Sequence, residues 1–234
     1  MMTGYSRLSL MLLTLIAFLL LANGCASASD TSAESPSATK SDQITLPSPR
    51  QTGDMPLEEV IGARRSVREF AGQELSWEEI AQLLWAAQGE TDPRGLRAAP
   101  SAGALYPLEI YVALPDGVYH YLPQGHTIER VTDRDVREDL WQAGLKQEAL
   151  RQAPAVFVVT AVYERTEAKY GERAERYVHL EAGHAAQNLL LQAVALDLGA
   201  VPVGAFYDDQ VVDVLGLPSD HRPLYLVPVG HPEN

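Results

Sequence analysis

Residues 169–206 read KYGERAERYVHLEAGHAAQNLLLQAVALDLGAVPVGAF, and this stretch decides the fold. From Glu172 to Leu198, apolar and small residues recur at helical spacing, and Gly199 closes the pattern. A long helix whose faces are mostly Ala, Leu and Val is predicted to be buried at the centre of its domain. It carries one polar stripe, in which Tyr177, Glu181, His184, Asn188 and Gln192 follow one another at steps of four, three, four and four. Polar groups on a buried helix need partners. The stripe therefore reads as a hydrogen-bonded structural line, a subunit contact, or part of a site. Val201 to Phe206 then returns as a short strand.

Working outward, Pro154 to Val162 (PAVFVVTAV) is an apolar run opened by proline, which predicts a buried strand. Leu108 to Leu114 and Val118 to Tyr121, either side of Gly117, predict a hairpin. Leu224 to Val229 predicts a further strand. Ser76-Trp77-Glu78-Glu79 is a capping box, after which Ile80, Leu83, Leu84 and Ala87 recur at helical spacing until Gly89. Pro56 to Ile61 and Asp133 to Trp141 also read as helical. Helices alternate with strands, yet some strands adjoin. The expectation is an α+β fold, a mixed sheet flanked by helices with the long helix at its centre.

The chain has 234 residues, 46% hydrophobic and 21% charged, a globular profile. With 18 basic against 31 acidic residues, its net charge of −13 would repel phosphate over most of the surface, which makes the chain a poor general nucleic-acid binder. The single cysteine, Cys25, excludes an internal disulfide framework and a cysteine zinc site. Leu8 to Ala22 is apolar apart from Ser9 and Thr14, short for a membrane span and right for a signal h-region. The run ends Leu21-Ala22-Asn23-Gly24-Cys25, which resembles a bacterial lipobox, with Cys25 lipidated after cleavage. Residues 1–24 are thus predicted to be a lipoprotein-type signal peptide. Residues 25–54, rich in Ser, Thr and Pro, are predicted to be a disordered tether, and 55–234 the domain.

Three constellations could carry chemistry. Arg64-Arg65-Ser66-Val67-Arg68 concentrates planar, multi-donor cations in an acidic chain, either as an anion site or as a solvated basic face. Ala99-Pro100-Ser101-Ala102-Gly103-Ala104-Leu105-Tyr106-Pro107 sets small residues between two prolines, either as a backbone that a ligand approaches closely or as a tight loop. Lys169-Tyr170, just before the long helix, offers two groups able to move protons, or an ordinary helix entry. Ala99-x-Ser101-x-Gly103 mimics a nucleophile elbow, but a strand rather than a helix follows it. Glu181-x-x-His184 has the spacing of half a di-iron site, with no second E-x-x-H to complete it. There is no G-x-G-x-x-G, P-loop or H-E-x-x-H, so no metal site is expected.

Taken in order, R-R-S-V-R, A-P-S-A-G-A-L-Y-P-L-E-I-Y-V, K-Y-G-E-R-A-E-R-Y, L-E-A-G-H-A-A-Q-N-L-L-L-Q-A and V-P-V-G-A-F resemble the FMN-dependent nitroreductase superfamily, SagB/ThcOx-type dehydrogenase branch, over residues 55–231. The resemblance implies a dimer with FMN bound at the subunit interface. It implies that Arg64, Arg65 and Ser66 hold the phosphate and ribityl chain, with Arg68 beside the ring. Pro100, Ser101, Ala102 and Gly103 would line the cofactor, and Gly204 and Ala205 would present backbone to it. Lys169 and Tyr170 match the pair through which azoline-oxidising members remove a proton. Those members work beside cytoplasmic partners, and this chain carries an export signal. The expectation is therefore an exported, membrane-anchored FMN oxidoreductase passing hydride from a donor to a small-molecule acceptor. A catalytically inactive binding protein on the same fold and a peptide thiazoline/oxazoline dehydrogenase are the alternatives.

Overall fold

The structure, a computed structural model, describes residues 43–233. The signal h-region, Cys25 and the first part of the predicted tether lie outside the described residues. No helix among the described residues is long and apolar enough to cross a membrane.

Strand β2 (Leu108–Leu114) shows how the core is divided. Its side chains alternate, so Leu108, Ile110, Val112 and Leu114 enter one apolar cluster while Tyr111 and Ala113 enter another. The strand pairs antiparallel with β3 (Gly117–Leu122) across the predicted hairpin, and β3 with β4 (Thr127–Thr132). On its other side β2 pairs with β5 (Ala155–Ala161), buried at every position, and β5 with β7 (Arg222–Gly230). The sheet is completed by β1 (Gln43–Thr45) beside β4 and β6 (Gly199–Ala200) beside β7, in the order β1-β4-β3-β2-β5-β7-β6. All six ladders are antiparallel. The expected mixed sheet is therefore an antiparallel one, because apolar periodicity identifies a strand without fixing its direction.

One face of the sheet is covered by α2 (Trp77–Gln88) and α6 (Ala174–Ala195), which pack on each other. The capping box at Ser76 is present: Glu79 N donates to Ser76 Oγ at 3.3 Å, and Ser76 N donates to Glu79 Oε2 at 2.7 Å. The opposite face is covered by α3 (Arg137–Ala143), α4 (Glu148–Gln152) and α7 (Asp208–Leu215). Helices α1 (Leu57–Ala63) and α5 (Glu164–Tyr170) pack against α6. Each fully buried Leu, Ile or Phe contributes about 1.5–3 kcal/mol, so Phe157, Leu83 and Leu189 anchor the larger cluster.

Helix α6 is shorter than its sequence pattern. It ends at Ala195, because Asp197 adopts a left-handed φ of 57° and turns Leu198 back into the core. Nor is it covered on all sides within this chain: Val178, Ala182, Ala185 and Leu189 are buried, whereas Leu180, Gly183, His184 and Gln187 are exposed.

The predicted tether is ordered from Gln43 onward, so the fold begins earlier than Met55. Gln43–Thr45 pairs with Thr127–Glu129, and Leu46 is 5% exposed within the core. Arg50 N donates to Gln82 Oε1 at 2.7 Å, and Gln82 Nε2 reaches Arg50 O and Gln192 Oε1. An edge strand lives on backbone hydrogen bonds and one buried leucine, and composition registers neither.

Candidate active site

The basic stretch is built by the end of α1. Arg64 N closes the helix on Val60 O at 3.0 Å, and the chain then runs extended. Ser66 forms a parallel bridge with Ala200, and Val67 N donates to Ala200 O at 3.1 Å. Val67 packs so tightly on Gly199 that a side-chain carbon there would meet Val67 Cγ1 at 2.6 Å. Glycine is thus required for this approach, which lays Arg64–Arg68 alongside the segment leading to Gly204 and Ala205. The guanidiniums of Arg65 and Arg68 reach only nearby carbonyls: Gly62 O and Arg64 O for Arg65, Ser66 O for Arg68. Among the described residues, Arg64, Arg65 and Arg68 pair with no carboxylate, despite the acid excess.

Gly204 and Ala205 are exposed. A side-chain carbon on Gly204 would find only Tyr225 Cε1, at 3.8 Å, so its backbone faces open space. Gln147 fixes this segment from behind, since its Nε2 donates to Ala205 O and Gly144 O, each at 2.9 Å. Gln147 gave no signal in the sequence, because its role is a single contact between distant parts of the chain.

The second group is the loop before β2. Ser101 Oγ accepts from Tyr106 N at 2.9 Å, folding Ala102–Ala104 into a 3-10 turn. Gly103, Ala104 and Tyr106 all have positive φ, at 66°, 53° and 46°. Arg165 Nη1 donates to Tyr106 O at 3.0 Å and pairs with Glu109, while Arg97 N donates to Tyr106 Oη at 3.1 Å. This bracing brings Gly103 to the end of α5, where a side-chain carbon on it would lie 2.8 Å from Lys169 Nζ and 2.9 Å from Tyr170 Oη. The structure thus joins two stretches that the sequence separates widely. Lys169 is exposed and Tyr170 half-buried. As a nucleophile elbow the loop fails: Ser101 is followed by the 3-10 turn and β2, not a helix.

Behind the loop, His120 Nε2 lies 2.7 Å from Glu109 Oε2, and its Nδ1 lies 3.3 Å from Glu129 Oε1. Burial opposes the charge on His120, but Glu109 and Glu129 outweigh it and hold its pKa above the ordinary histidine value. Burial likewise works against the Glu109 carboxylate, and His120 with Arg165 more than compensates, leaving its pKa lowered.

The polar stripe of α6 divides. Tyr177 packs edge-on against Tyr170, with ring centroids 4.9 Å apart. Glu181 is 2% exposed, and neither carboxylate oxygen has a hydrogen-bond partner. His184 is exposed, so the pair Glu181 and His184 does not converge. Asn188 Nδ2 donates to Ala98 O at 3.4 Å, and Gln192 accepts from Gln82. These last two are structural partners.

Two groups result: unpaired cations beside exposed backbone, suited to an anionic ligand, and an ammonium with a phenol at a braced glycine turn, suited to proton transfer. Among the described residues no hydrogen bond or ion pair joins the two groups.

The molecule is thus an α+β protein in which an antiparallel sheet lies between helices and a cationic segment is threaded against the sheet's edge. Residues 61–231 match the Nitroreductase family, and the chain belongs to it. A protein of Methanocaldococcus jannaschii, provisionally named a nitroreductase, is 48% identical over 183 residues, covering 76% of this chain and 91% of its own. The microcin B17-processing protein McbC of Escherichia coli is 29% identical, covering 61% of this chain and 57% of McbC. The NADPH-flavin oxidoreductase of Vibrio harveyi is 27% identical, covering 75% of this chain and 65% of its own. A crystal structure from Ralstonia eutropha, also provisionally a nitroreductase, superposes with a TM-score of 0.74 at 32% identity, covering 82% of this chain and 90% of that one.

Proposed function

We propose that the protein is an FMN-dependent oxidoreductase that passes hydride from a donor to a small-molecule acceptor in two half-reactions. The observation that carries this reading is the set Arg64, Arg65 and Arg68, free of carboxylate partners among the described residues and pinned by Ser66 and Ala200 beside the open backbone of Gly204. A phosphate-bearing planar cofactor fits that chemistry: guanidiniums for the anion and a side-chain-free surface for the ring. Arg64, Arg65 and Ser66 would hold the phosphate and ribityl chain. Arg68 would favour negative charge on the bound ring. Gly204 and Ala205, and the turn Pro100-Ser101-Ala102-Gly103, would line it. Bound there, FMN supplies two-electron chemistry that a donor and an acceptor can use in turn. Lys169 Nζ and Tyr170 Oη would hold or deliver the proton that accompanies hydride. A homodimer belongs to this reading, since α1 and α6 leave Leu57, Ile61 and Leu180 more than half exposed.

A second reading, a peptide thiazoline/oxazoline dehydrogenase, is favoured by the Lys169–Tyr170 pair standing at Gly103 and by the similarity to McbC. Export and a lipid on Cys25 remain part of the first reading, supported by the apolar run ending at Gly24-Cys25. Cys25→Ser should release the protein from membranes, and unchanged membrane association and processing would reject the anchor.

The activity is tested with the full-length protein supplied with FMN, mixed anaerobically with NADH or NADPH and then with a nitroaromatic or a quinone. Flavin absorbance should bleach in the first step and recover in the second. Bound flavin that no donor reduces would mark a binding protein, and absence of flavin binding would remove the reading altogether.

A further inference from the structure

Glu181 is the residue that the proposed reaction does not use and that packing alone does not explain. The inward face of α6 is otherwise Val178, Ala182, Ala185 and Leu189, all buried. A carboxyl on that face, 2% exposed and with both oxygens unpartnered, opposes folding unless something offsets it. Its near polar neighbours on the loop are the Ser101 hydroxyl and the Arg97 guanidinium, and both favour its charge. The unmet needs are complementary. Glu181 lacks donors, while Arg97 Nε and Gln88 Nε2 are buried and lack acceptors. Ser101 Oγ already accepts from Tyr106 N, so its own hydrogen is free to be donated.

Both routes outward from Glu181 lead to one place. Through Ser101 the path enters the turn that sets Gly103 against Lys169 Nζ and Tyr170 Oη. Through Tyr177, one helical turn earlier, it reaches the ring of Tyr170 at 4.9 Å. The groups acting on Glu181 are thus Arg97 and Ser101 from the loop, while Tyr177 stands one helical turn before it, with Tyr170 and Lys169 beyond.

We infer that Glu181 is a positioning residue for the Lys169–Tyr170 pair, seating the Ser101–Gly103 turn against it when its carboxylate draws in Ser101 and Arg97. The inference rests on the proposed role of that pair. Burial pushes the carboxyl up to about 7, while Ser101 and Arg97 pull the other way, so the seating charge is gained or lost near neutrality. Protonated, Glu181 no longer attracts Arg97 and the turn loosens. Ionised, it holds the turn.

The test uses the full-length chain and two variants, Glu181→Gln, which keeps the shape, and Glu181→Leu, which suits the apolar face if the amide folds poorly. The first readout needs neither cofactor nor turnover: the NMR amide resonance of Gly103 followed with pH. It should titrate with a midpoint near 7 in the wild type and lose that titration in both variants. The second is the pH profile of turnover with FMN loaded. Wild-type turnover should rise about tenfold across two pH units centred on that midpoint, as for a single titrating group. Both variants should be flat at the low-pH level with FMN content unchanged. A Gly103 titration that survives in Glu181→Gln or Glu181→Leu overturns the inference. Failure of flavin binding or reduction in the wild type counts against the proposed function instead, and leaves the Gly103 readout to decide the role of Glu181.

Discussion

Gly103 lies so close to Lys169 that a side-chain carbon built on it would stand 2.8 Å from the ammonium nitrogen. The neighbour is the flexible tip of an exposed side chain, so it can move, and moving it is what matters. Gly103→Ala also places a side chain at a φ of 66°, which costs about 1–2 kcal/mol. For a domain of this size that is a drop in Tm of about 2–8 °C. Turnover should fall far more, by about 10²-fold, the effect of misplacing a reacting group by an ångström. Equal turnover in a folded variant would detach Gly103 from the site.

Lys169→Ala and Tyr170→Phe separate proton transfer from cofactor binding. Each should lower turnover by about 10²–10⁴-fold with FMN content unchanged. For exposed Lys169, stability should stay within about 0.5 kcal/mol. Cofactor content and single-turnover rates measured on the same preparations decide the matter. Loss of FMN would make the pair cofactor contacts, and unchanged turnover would make it idle in this chain.

Leu46→Ala probes the segment that composition assigns to a tether. Leu46 is 5% exposed in the core, and its truncation should cost about 2 kcal/mol or more. That corresponds to a fall in Tm of about 4–8 °C. A change within about 0.5 kcal/mol would mean the segment contributes no more than an exposed surface.

The contrast between Leu46 and Ser76 shows what the sequence made legible. The capping box at Ser76 and the alternation in β2 are local, and both are found where the residues predict them. The centre of α6 is local too, but its end is not, because Asp197 takes a left-handed turn that a reader assigns to Gly199. Helices α4, α5 and α7, of five to eight residues, show no side-chain N-cap and are not read from the sequence. In the candidate site, residue type singled out Arg64–Arg68, the Pro100–Gly103 loop and Lys169-Tyr170 with two readings each, and only the family resemblance attached roles to them. The bracing by Gln147 and Arg165 is invisible there, since each works through contacts that include a hydrogen bond to a residue 58 or 59 positions away.

The ion pair behind the loop gives stability a pH signature. The pKa of His120 is raised in the folded protein, so its contribution is complete below the unfolded value of about 6.5 and is lost as pH rises through the folded value. Tm should therefore fall with rising pH above about 6.5, and His120→Gln should flatten that decline. Glu109, with its pKa lowered, acts at the other end: its contribution is present above the unfolded carboxyl value and is lost as pH falls through the folded one. A decline of equal slope in His120→Gln would assign the effect elsewhere, for instance to Glu181.

The central claim is that Arg64–Arg68 is a cofactor cradle. It is tested most directly by the FMN dissociation constant of the full-length protein, wild type against Arg68→Ala. Losing one charge-assisted contact should cost about 1.5–3 kcal/mol, a weakening of roughly 10–150-fold, with a lower flavin reduction potential in the variant. Stoichiometric FMN in the wild type with that weakening is the predicted result. Identical affinity and potential in the two proteins, or no FMN bound by either, would contradict the account.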